Sequence, residues 1–371
     1  MKEIQERNHK FYAEQQEEAS KDAEIFYNPV MINNRDLSEI AHKIFKQKVD
    51  QENYNTCDAL SASGIRALRY LQNTKKITIN DLNPKAVKKI KKTLKLNNIE
   101  INENIEITNK DANALLSQKK NQFNFIDIDP YGPFTPFVDS AARASNYNSM
   151  AAFTATDNAA PAGTYSKVCQ RRYTSQPLKN SFMHETGMRI YIKKIFETYS
   201  KYDKAFEPKI SFHERHYTRT IGRITESKKR TNKNLDNIGY LSFCPSCRWR
   251  KLEKTHKCPN CGEKPQYAGP LWTGKTTDRR YTEEMLENYP GDWESQKMLK
   301  TIHKEAEIKK PFYQLHDLCS NIGISVPKRK QVIEKIRNKG YPIQKSHFEP
   351  QAFKTNAPIT QIKQTIETVL D

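Results

Sequence analysis

The sequence contains little glycine and no long apolar run. Only 12 of its 371 residues are glycine, and no segment approaches the roughly 20 apolar residues that a membrane-spanning helix requires. The first residues are charged, unlike the apolar core of a secretion signal. These absences disfavour a membrane-bound or secreted protein, and we expect a soluble protein in the cytoplasm.

The sequence also lacks the glycine-rich fingerprint of dinucleotide-binding folds, which disfavours a nicotinamide cofactor. The first four strands predicted below are each followed by an acid: Asp58, Asp81, Asp111 and Asp129. These carboxylates would repel a pyrophosphate but tolerate a nucleoside with an amino-acid tail, so S-adenosylmethionine is favoured over NAD. His213 and His216 are three residues apart, which is not the spacing of a zinc protease.

Four of the seven cysteines form two Cys-x-x-Cys pairs. Two matched pairs are typical of a structural zinc site, whereas a redox dithiol needs only one. Four thiolates complete the coordination shell and leave no position for a reactive water. We therefore predict a structural Zn²⁺ bound by Cys244, Cys247, Cys258 and Cys261.

Positive charge exceeds negative charge. The chain has 62 lysines and arginines against 43 acids, a formal net charge of +19, with 18 tyrosines and 16 phenylalanines. Cations bind phosphates and aromatic rings stack on bases, so nucleic acid is the favoured partner, although lysine also serves solubility. The lysines between residues 85 and 95 are interpreted as a solvated helix face. Candidate RNA contacts are Arg171, Arg172, Tyr173, Trp249, Arg250, Lys251 and Lys254.

Apolar strands alternate with helical patterns from Tyr54 onward, which is typical of a doubly wound parallel sheet with ligands at the carboxyl ends of its strands. We predict this α/β fold for residues 1–238 and a smaller α+β domain for residues 239–371. The predicted strands lie near residues 54–58, 77–81, 105–108, 123–128 and 149–157.

The fourth strand ends in the segment Asp129-Pro130-Tyr131-Gly132. A carboxylate, a rigid proline and an aromatic ring together can hold a planar base and accept a hydrogen bond from its amine. An amine conjugated to a purine is a poor nucleophile, so a positioned acceptor such as Asp129 would assist methyl transfer to nitrogen. The alternative is a plain Asp-Pro turn with a packed tyrosine.

Residues after the other strands are candidates for holding the cofactor. Arg66 follows a turn of small residues and would face the methionine end, and Asp81 is placed to bind a ribose diol. Asp111 can bond an adenine amino group or cap a helix. Arg35, predicted just before a helix, faces either a ligand carboxylate or an ion-pair partner such as Asp36.

The C-terminal third carries two predicted helices, at residues 311–318 and 328–337, followed by a basic turn near residues 340–348. This order suggests a winged-helix-like nucleic-acid module, with a helical packing or dimerisation domain as the alternative. Residues 227–237 are predicted to form a loop or linker.

Taken together and in order, these motifs resemble the tRNA guanine-N2 dimethyltransferase family over nearly the whole chain. The segments that carry the resemblance are 26–29, 33–36, 58–66, 81–84, 111–112, 127–132, 184–189 and 269–272. The resemblance implies a class I S-adenosylmethionine methyltransferase domain of Rossmann-like fold, with a zinc-containing RNA-binding domain after it. It also implies transfer of one or two methyl groups to N2 of guanosine 26 in tRNA.

The resemblance assigns residue roles as well. Asp129 would serve the target amine, with the guanine ring against Phe26 or Tyr131 and its N2 also near the Pro130 carbonyl. The residues that would contact the cofactor are Arg35, Arg66, Asp81, Asp111 and Ala112. The expected partner is tRNA, and no obligate protein partner is inferred.

Two other functions remain open from the residues alone. An adenine-N6 or other amino methyltransferase also suits an acid-Pro-aromatic strand end. An RNA-binding protein without catalysis would bind tRNA with steep salt dependence but would not bind S-adenosylmethionine.

Overall fold

The computed structural model describes residues 2–15, 26–49, 52–291 and 293–370. Within these ranges no helix is both long enough and apolar enough to cross a bilayer. The strands are β1 (Lys2–Glu6), β2 (His9–Gln15), β3 (Phe26–Tyr27), β4 (Asn55–Asp58), β5 (Lys76–Asn80), β6 (Ile105–Thr108), β7 (Phe123–Ile128), β8 (Ser145–Ala155), β9 (Lys204–Glu214), β10 (Tyr217–Glu226), β11 (Ile238–Phe243), β12 (Arg250–Lys251), β13 (Gln266–Trp272), β14 (Tyr313–Gln314), β15 (Ile343–Lys345) and β16 (Ala352–Thr355).

The helices connect and cover these strands. They are α1 (Ile32–Lys46), α2 (Ile65–Leu71), α3 (Pro84–Leu96), α4 (Ala112–Gln118), α5 (Val138–Ala144), α6 (Ser166–Tyr173), α7 (Met183–Ser200), α8 (Lys228–Leu235), α9 (Arg279–Glu287), α10 (Glu294–Glu305), α11 (Leu315–Ile322), α12 (Arg329–Asn338) and α13 (Ile359–Leu370).

A seven-stranded sheet forms the centre of the fold, in the order β6-β5-β4-β7-β8-β10-β9. The first five strands in this order are parallel, and β10 runs antiparallel to both β8 and β9. The predicted doubly wound α/β fold is confirmed. The strand order reverses between β4 and β7, and ligands of such sheets bind at this reversal.

The strands are apolar because both faces of the sheet are covered. In β7, Phe125 packs into the core on one side, and Ile126 and Ile128 pack into the core on the other. Successive side chains of a strand point to opposite faces, so a strand buried on both sides reads as a continuous apolar run.

Three predicted elements differ in the structure. The helix predicted at residues 311–318 is instead β14 followed by α11, which begins at Leu315. The segment around residues 210–217, predicted as one strand, is the hairpin between β9 and β10, with Arg215 at φ 49° in its turn. Residues 227–237, predicted as a loop, contain α8. Ser227 caps that helix by accepting a hydrogen bond from the Arg230 amide, a start signal that the surrounding charges hid.

The chain after residue 238 forms two small sheets and also returns to the large one. The sheets have the orders β12-β11-β13 and β14-β16-β15. Helices α9 and α10 pack on α1: the Tyr281 hydroxyl donates to the Ala41 carbonyl, and the Ser295 hydroxyl donates to Asp36 at 2.6 Å. The C-terminal part is therefore fixed to the helix that begins beside the sheet edge.

A buried charge cluster, here called the junction cluster, joins α7 to the C-terminal part. Glu185 accepts hydrogen bonds from Arg189 at 2.8 Å, from Lys354 of β16 at 3.0 Å and from the Phe312 amide at 3.1 Å. Arg189 also donates to the Lys309 carbonyl at 2.7 Å. Burial alone would raise the pKa of Glu185, but Lys354 and Arg189 hold it below its ordinary value.

Candidate functional site

A cleft opens where β4 and β7 end, at the reversal of strand order. It contains about 640 Å³ of space, including open solvent at its mouth. Its walls come from the turn after β4, the segment after β7, the start of α1 and the hairpin of β9 and β10. The lining includes Arg35, Ser61, Ala62, Ser63, Arg66, Asp129, Pro130, Tyr131, Thr156 and His216.

The turn after β4 brings backbone close to the cleft. The Gly64 amide donates to the Ser61 carbonyl at 2.8 Å, and Gly64 has φ +79°, where a side chain would be strained. A Cβ at Gly64 would also lie 3.2 Å from Ile90. Both the backbone conformation and the packing at position 64 therefore favour glycine.

The Asp129 carboxylate lies against Arg66. The two side chains form an ion pair across the cleft wall, and Arg66 also donates to Asn34 at 3.1 Å. Arg66 is buried, which disfavours its charge, but Asp127 and Asp129 raise its pKa above the ordinary value. The residue predicted to face the cofactor and the residue predicted to face the amine thus touch each other.

Asp127 supports the Arg66–Asp129 ion pair from its buried side. Its carboxylate accepts two hydrogen bonds from Arg219, at 2.9 and 2.6 Å, and one from the Tyr70 hydroxyl. All three side chains are fully buried. Burial would raise the pKa of Asp127, but Arg219 and Arg66 lower it, so the group is an anion beneath the cleft.

Asp58, at the end of β4, is buried but incompletely bonded. Its Oδ2 atom has no hydrogen-bond partner among the described residues. Burial, with the nearby Asp127 charge, raises the pKa of Asp58 to about 7. A buried carboxyl group with a vacant acceptor is uncommon in a finished core and common at ligand sites.

Arg35 lies in the first turns of α1, which begins earlier than predicted, at Ile32. The Arg35 guanidinium donates to Glu6 of β1 at 2.8 Å and to the Asn28 carbonyl at 3.2 Å. Its ion-pair partner is thus Glu6, whereas Asp36 pairs with Arg69 at 2.7 Å. Burial would raise the pKa of Glu6, but Arg35 and then Arg69 lower it to about 2.

One nitrogen of Arg35 remains available to a ligand. Within the described residues, Arg35 Nη1 makes no hydrogen bond, and Arg35 lines the cleft. An ion pair and a ligand contact are therefore compatible for this side chain, because a guanidinium has five donors.

Three other predicted cofactor residues lie along the same sheet edge, outside the cleft lining. Asp81 accepts hydrogen bonds at 2.8 Å from the amides of Ala62 and Asn83, and burial raises its pKa. Asp111 caps α4 by accepting from the Ala114 amide at 3.0 Å, and Ala112 is buried beside it. The helix-cap alternative for Asp111 is therefore present, and its second oxygen leaves a ligand role possible.

The Asp-Pro-Tyr-Gly segment is held by the end of β8. The Gly132 amide donates to the Thr156 hydroxyl at 2.7 Å, and the Thr156 amide donates to the Gly132 carbonyl at 3.0 Å. Pro130 and Tyr131 line the cleft, and Tyr131 is 53% exposed. The side chain of Phe26 lies outside the described residues, so its predicted contact is not tested.

Some residues at the cleft were assigned no role from the sequence. Asn28 lies 3.3 Å from the ring of His216, which reaches the cleft from the β9 to β10 turn, and burial lowers the pKa of His216. Asn34 supports Arg66, as described above. Asn28 and Asn34 lie in the segments 26–29 and 33–36 that carry the family resemblance, whereas His216 lies in the turn between β9 and β10 and has no local pattern that marks it.

Two predicted RNA contacts are wrong. Tyr173 is fully buried and donates to Asp157 at 2.8 Å. Arg250 is also fully buried, with its guanidinium 4.0 Å from the Phe182 ring centre and 4.1 Å from that of Tyr313. The flanking Arg171, Arg172 and Lys251 are exposed and stay candidates.

The four predicted zinc ligands converge. Their sulfur atoms all lie within 4.8 Å of one another, with Cys244 to Cys261 at 3.4 Å and Cys247 to Cys258 at 3.5 Å. Zn–S bonds of about 2.3 Å in a tetrahedron place sulfurs about 3.8 Å apart. The cluster therefore fits a tetrahedral Zn²⁺, and four protein thiolates make such a site structural.

Comparisons with known proteins agree over nearly the full chain. The model of the family described as N2,N2-dimethylguanosine tRNA methyltransferase matches residues 6–367. A tRNA (guanine(26)-N(2))-dimethyltransferase from Methanobrevibacter smithii is 38% identical over 364 residues, covering 94% of this chain and 93% of the relative. A tRNA (guanine(26)-N(2)/guanine(27)-N(2))-dimethyltransferase from Aquifex aeolicus is 33% identical over 362 residues, covering 94% and 91%.

A solved structure has the same fold. The complex of Trm1 from Pyrococcus horikoshii with S-adenosyl-L-methionine superposes with a TM-score of 0.86 at 28% identity, covering 99% of this chain and 100% of that one. The similarity therefore includes both the large sheet and the C-terminal part.

Proposed function

The chain belongs to the N2,N2-dimethylguanosine tRNA methyltransferase family, and from that membership we propose how its cleft works. The enzyme transfers one or two methyl groups from S-adenosylmethionine to N2 of guanosine 26 in tRNA. The observation that carries the assignment of the site is the convergence of Arg35, Arg66 and the Asp129-Pro130-Tyr131 segment in one cleft.

The residues of the sheet edge fit a cationic nucleoside cofactor. Acids end the strands, and Asp58 has a buried oxygen without a partner among the described residues, which suits a ligand that brings positive charge and donors. Asp81 and Asp111, with Ala112 at the start of α4, would hold the nucleoside. Arg35 and Arg66 would hold its carboxylate, since a guanidinium binds carboxylates well.

Asp129 is the proposed catalytic residue. When bound, S-adenosylmethionine supplies an electrophilic methyl group on a sulfonium that becomes a neutral thioether. Asp129 accepts the proton that N2 of guanine loses as its lone pair forms the new N–C bond. The Pro130 carbonyl accepts from the second N–H, which orients the amine, and a second methylation repeats the step on the remaining proton.

Tyr131 is placed to hold the flipped base. Its ring is half exposed at the cleft mouth, and aromatic rings stack on extruded bases. Phe26 is proposed for the opposite face of the guanine. Both residues would bind base without taking part in proton transfer.

The Arg66–Asp129 ion pair suggests an order of binding. Arg66 forms an ion pair with Asp129, and a ligand carboxylate would compete for the same guanidinium. Arg66 would then shift toward the ligand and leave Asp129 free to accept from the amine. Cofactor binding before tRNA is the expected sequence.

The proposal also assigns the two parts of the chain. Residues 1–238 would carry the methyl-transfer chemistry, and residues 239–371, with their structural zinc, would bind RNA. We place the enzyme in the cytoplasm, where its tRNA substrate is processed, and propose no obligate protein partner.

The test is methylation of unmodified tRNA with labelled S-adenosylmethionine, followed by mass spectrometry of the nucleosides. We expect label in N2-methylguanosine and N2,N2-dimethylguanosine, and we expect it to disappear from tRNA in which adenosine replaces guanosine 26. A tRNA with guanosine at both 26 and 27 tests whether the second position is accepted as well.

Other products would contradict the proposal. Label in N6-methyladenosine would establish the adenine methyltransferase alternative. Salt-dependent tRNA binding by a folded protein that neither binds S-adenosylmethionine nor transfers label would establish an RNA-binding protein instead.

A further inference from the structure

A second concave surface lies away from the cleft lining, between α10, α12 and β15. It contains about 890 Å³ of space, including open solvent, and the described residues that line it include five cations and one acid, Glu334. We call it the basic groove. The cations, all on exposed residues, are Lys300, Lys304, Lys330, Arg337 and Lys345.

The positions of these cations on α10, α12 and β15 direct them toward the same groove. Lys300 and Lys304 are one turn apart on α10, and Lys330 and Arg337 are two turns apart on α12. Residues at such spacings share a helix face, so each helix presents its cations to the common groove. Lys345 adds a fifth charge from β15.

Both helices are fixed by their opposite faces. Leu299 and Ile302 of α10 are buried in the core that contains α1, while Val332 and Ile336 of α12 are buried in the C-terminal core. The basic groove therefore bridges the two parts of the chain. Packing of these helices, and not a mobile loop, therefore fixes the positions of their cations.

The described residues leave most of the charge of the basic groove unneutralised. Among the described residues, Lys304, Arg337 and Lys345 make no ion pair, and Lys330 lies 3.9 Å from Glu334. Lys300 donates to the neutral Gln296 at 2.8 Å. Like charges gathered in a concavity repel one another and attract a polyanion.

We infer that the basic groove binds the phosphate backbone of tRNA, at a point other than the guanosine that enters the cleft. This inference rests on the proposed function. A groove fits a nucleic-acid strand, and Thr301 and Gln344 in its lining can bond phosphate or ribose oxygens without reading a base.

The groove is also coupled to the cleft through α1. Ser295 of α10 donates to Asp36, and Asp36 directly follows Arg35, which lines the cleft. RNA held by α10 is therefore held against the same helix that borders the catalytic site. Backbone binding at the groove would position tRNA relative to Asp129.

The test neutralises the three unpaired cations together, as Lys304→Gln, Arg337→Gln and Lys345→Gln. Each lost phosphate contact lowers the salt dependence of binding by about one in slope, so the triple variant should lose about 2–3. We expect its KM for tRNA to rise roughly tenfold. Its kcat should stay within about twofold, because the cleft is untouched.

The matched control removes the same charge from the exposed face of α3, as Lys88→Gln, Lys91→Gln and Lys92→Gln. The control should change KM and salt slope much less than the groove variant. Equal effects in the two variants, or unchanged tRNA binding by the groove variant, would overturn the inference. Thermal unfolding and S-adenosylmethionine affinity verify that both variants are folded.

The two proposals can fail separately. If the wild-type protein leaves guanosine unmethylated, the proposed function fails, and the tRNA dissociation constants of the two variants still decide the role of the groove. If the wild type methylates guanosine 26 and the groove variant has an unchanged KM and salt slope, only the groove assignment fails.

Discussion

Two buried charge networks in this protein differ in how completely they are bonded. In the junction cluster, both oxygens of Glu185 accept hydrogen bonds, from Arg189, Lys354 and the Phe312 amide. In the network beneath the cleft, Asp58 has an oxygen without a partner among the described residues. One network is complete without a ligand, and the other is not.

The pKa values of Glu185 and Asp58 are shifted in opposite directions, which shows the same difference. The cations of the junction cluster outweigh burial and lower the pKa of Glu185, whereas burial, with the Asp127 charge, raises the pKa of Asp58 to about 7. A buried polar group that lacks a partner costs stability, so it persists where a ligand completes it. This difference supports the proposal that the junction cluster serves the fold and the cleft network serves binding and catalysis.

The strongest test of this comparison is Asp129→Asn in the cleft. The amide keeps the shape of the side chain but cannot accept the proton from N2, so kcat should fall by about 10²- to 10⁴-fold. S-adenosylmethionine affinity should not fall, because the variant removes the carboxylate that competes for Arg66. Asp127 still pairs with Arg66 at 3.5 Å and limits the loss of unfolding free energy. Single-turnover methyl transfer, calorimetric titration of the cofactor and urea unfolding measure the three quantities.

The control for Asp129 is Asp139→Asn, an acid that pairs with Arg143 and Lys201 on the surface. It should leave all three quantities near those of the wild type. If Asp129→Asn kept more than about a tenth of wild-type kcat, Asp129 would not be the proton acceptor and the assignment of the cleft would fail.

The converse test is Glu185→Gln in the junction cluster. Removing one partner of a buried ionic network leaves Arg189 and Lys354 uncompensated, which costs about 3–5 kcal/mol of unfolding free energy. At temperatures where the variant is folded, kcat should be close to that of the wild type. Urea unfolding at neutral pH gives the stability.

Glu334→Gln is the surface control for Glu185→Gln. Its partner Lys330 lies 3.9 Å away and is exposed, and such pairs contribute little to stability. A loss of stability no larger in Glu185→Gln than in this control would show that the junction cluster does not hold the two parts together. The contrast between the two networks would then be lost.

Local sequence patterns predicted the sheet and several site residues. The apolar strand ending at Asp129 and the two cysteine pairs were recognisable because their spacing within a few residues carries the signal. The sulfur cluster and the position of Asp129 in the cleft followed from those spacings.

Long-range partners were not predictable. Arg35 and Glu6 are 29 residues apart, and Glu185 and Lys354 are 169 residues apart. Arg250 looked like an exposed basic residue, yet it lies between Phe182 and Tyr313, and the tertiary fold alone determines that burial. Sequence patterns report which face of an element is apolar, but not which distant charge compensates a buried one.

The finest test of the comparison is Asp58→Asn, which should stabilise the ligand-free protein at high pH. The ordinary pKa of Asp58 is 3.8, and in the folded protein it is about 7. Between these values the folded state binds more protons than the unfolded state, so this carboxyl group lowers stability as pH rises, until pH exceeds about 7. The free energy of unfolding of the variant, relative to that of the wild type, should therefore rise between pH 5 and pH 8 by on the order of 2 kcal/mol.

Cofactor binding should reverse that gain. If the vacant oxygen of Asp58 serves a cationic donor of S-adenosylmethionine, the cofactor will stabilise the wild type more than Asp58→Asn at pH 8. Urea unfolding at both pH values, with and without cofactor, measures both effects. A variant that is less stable than the wild type at pH 8 without cofactor would mean that Asp58 is already satisfied. The cleft network would then be as complete as the junction cluster, and incomplete bonding could not be what distinguishes the functional site.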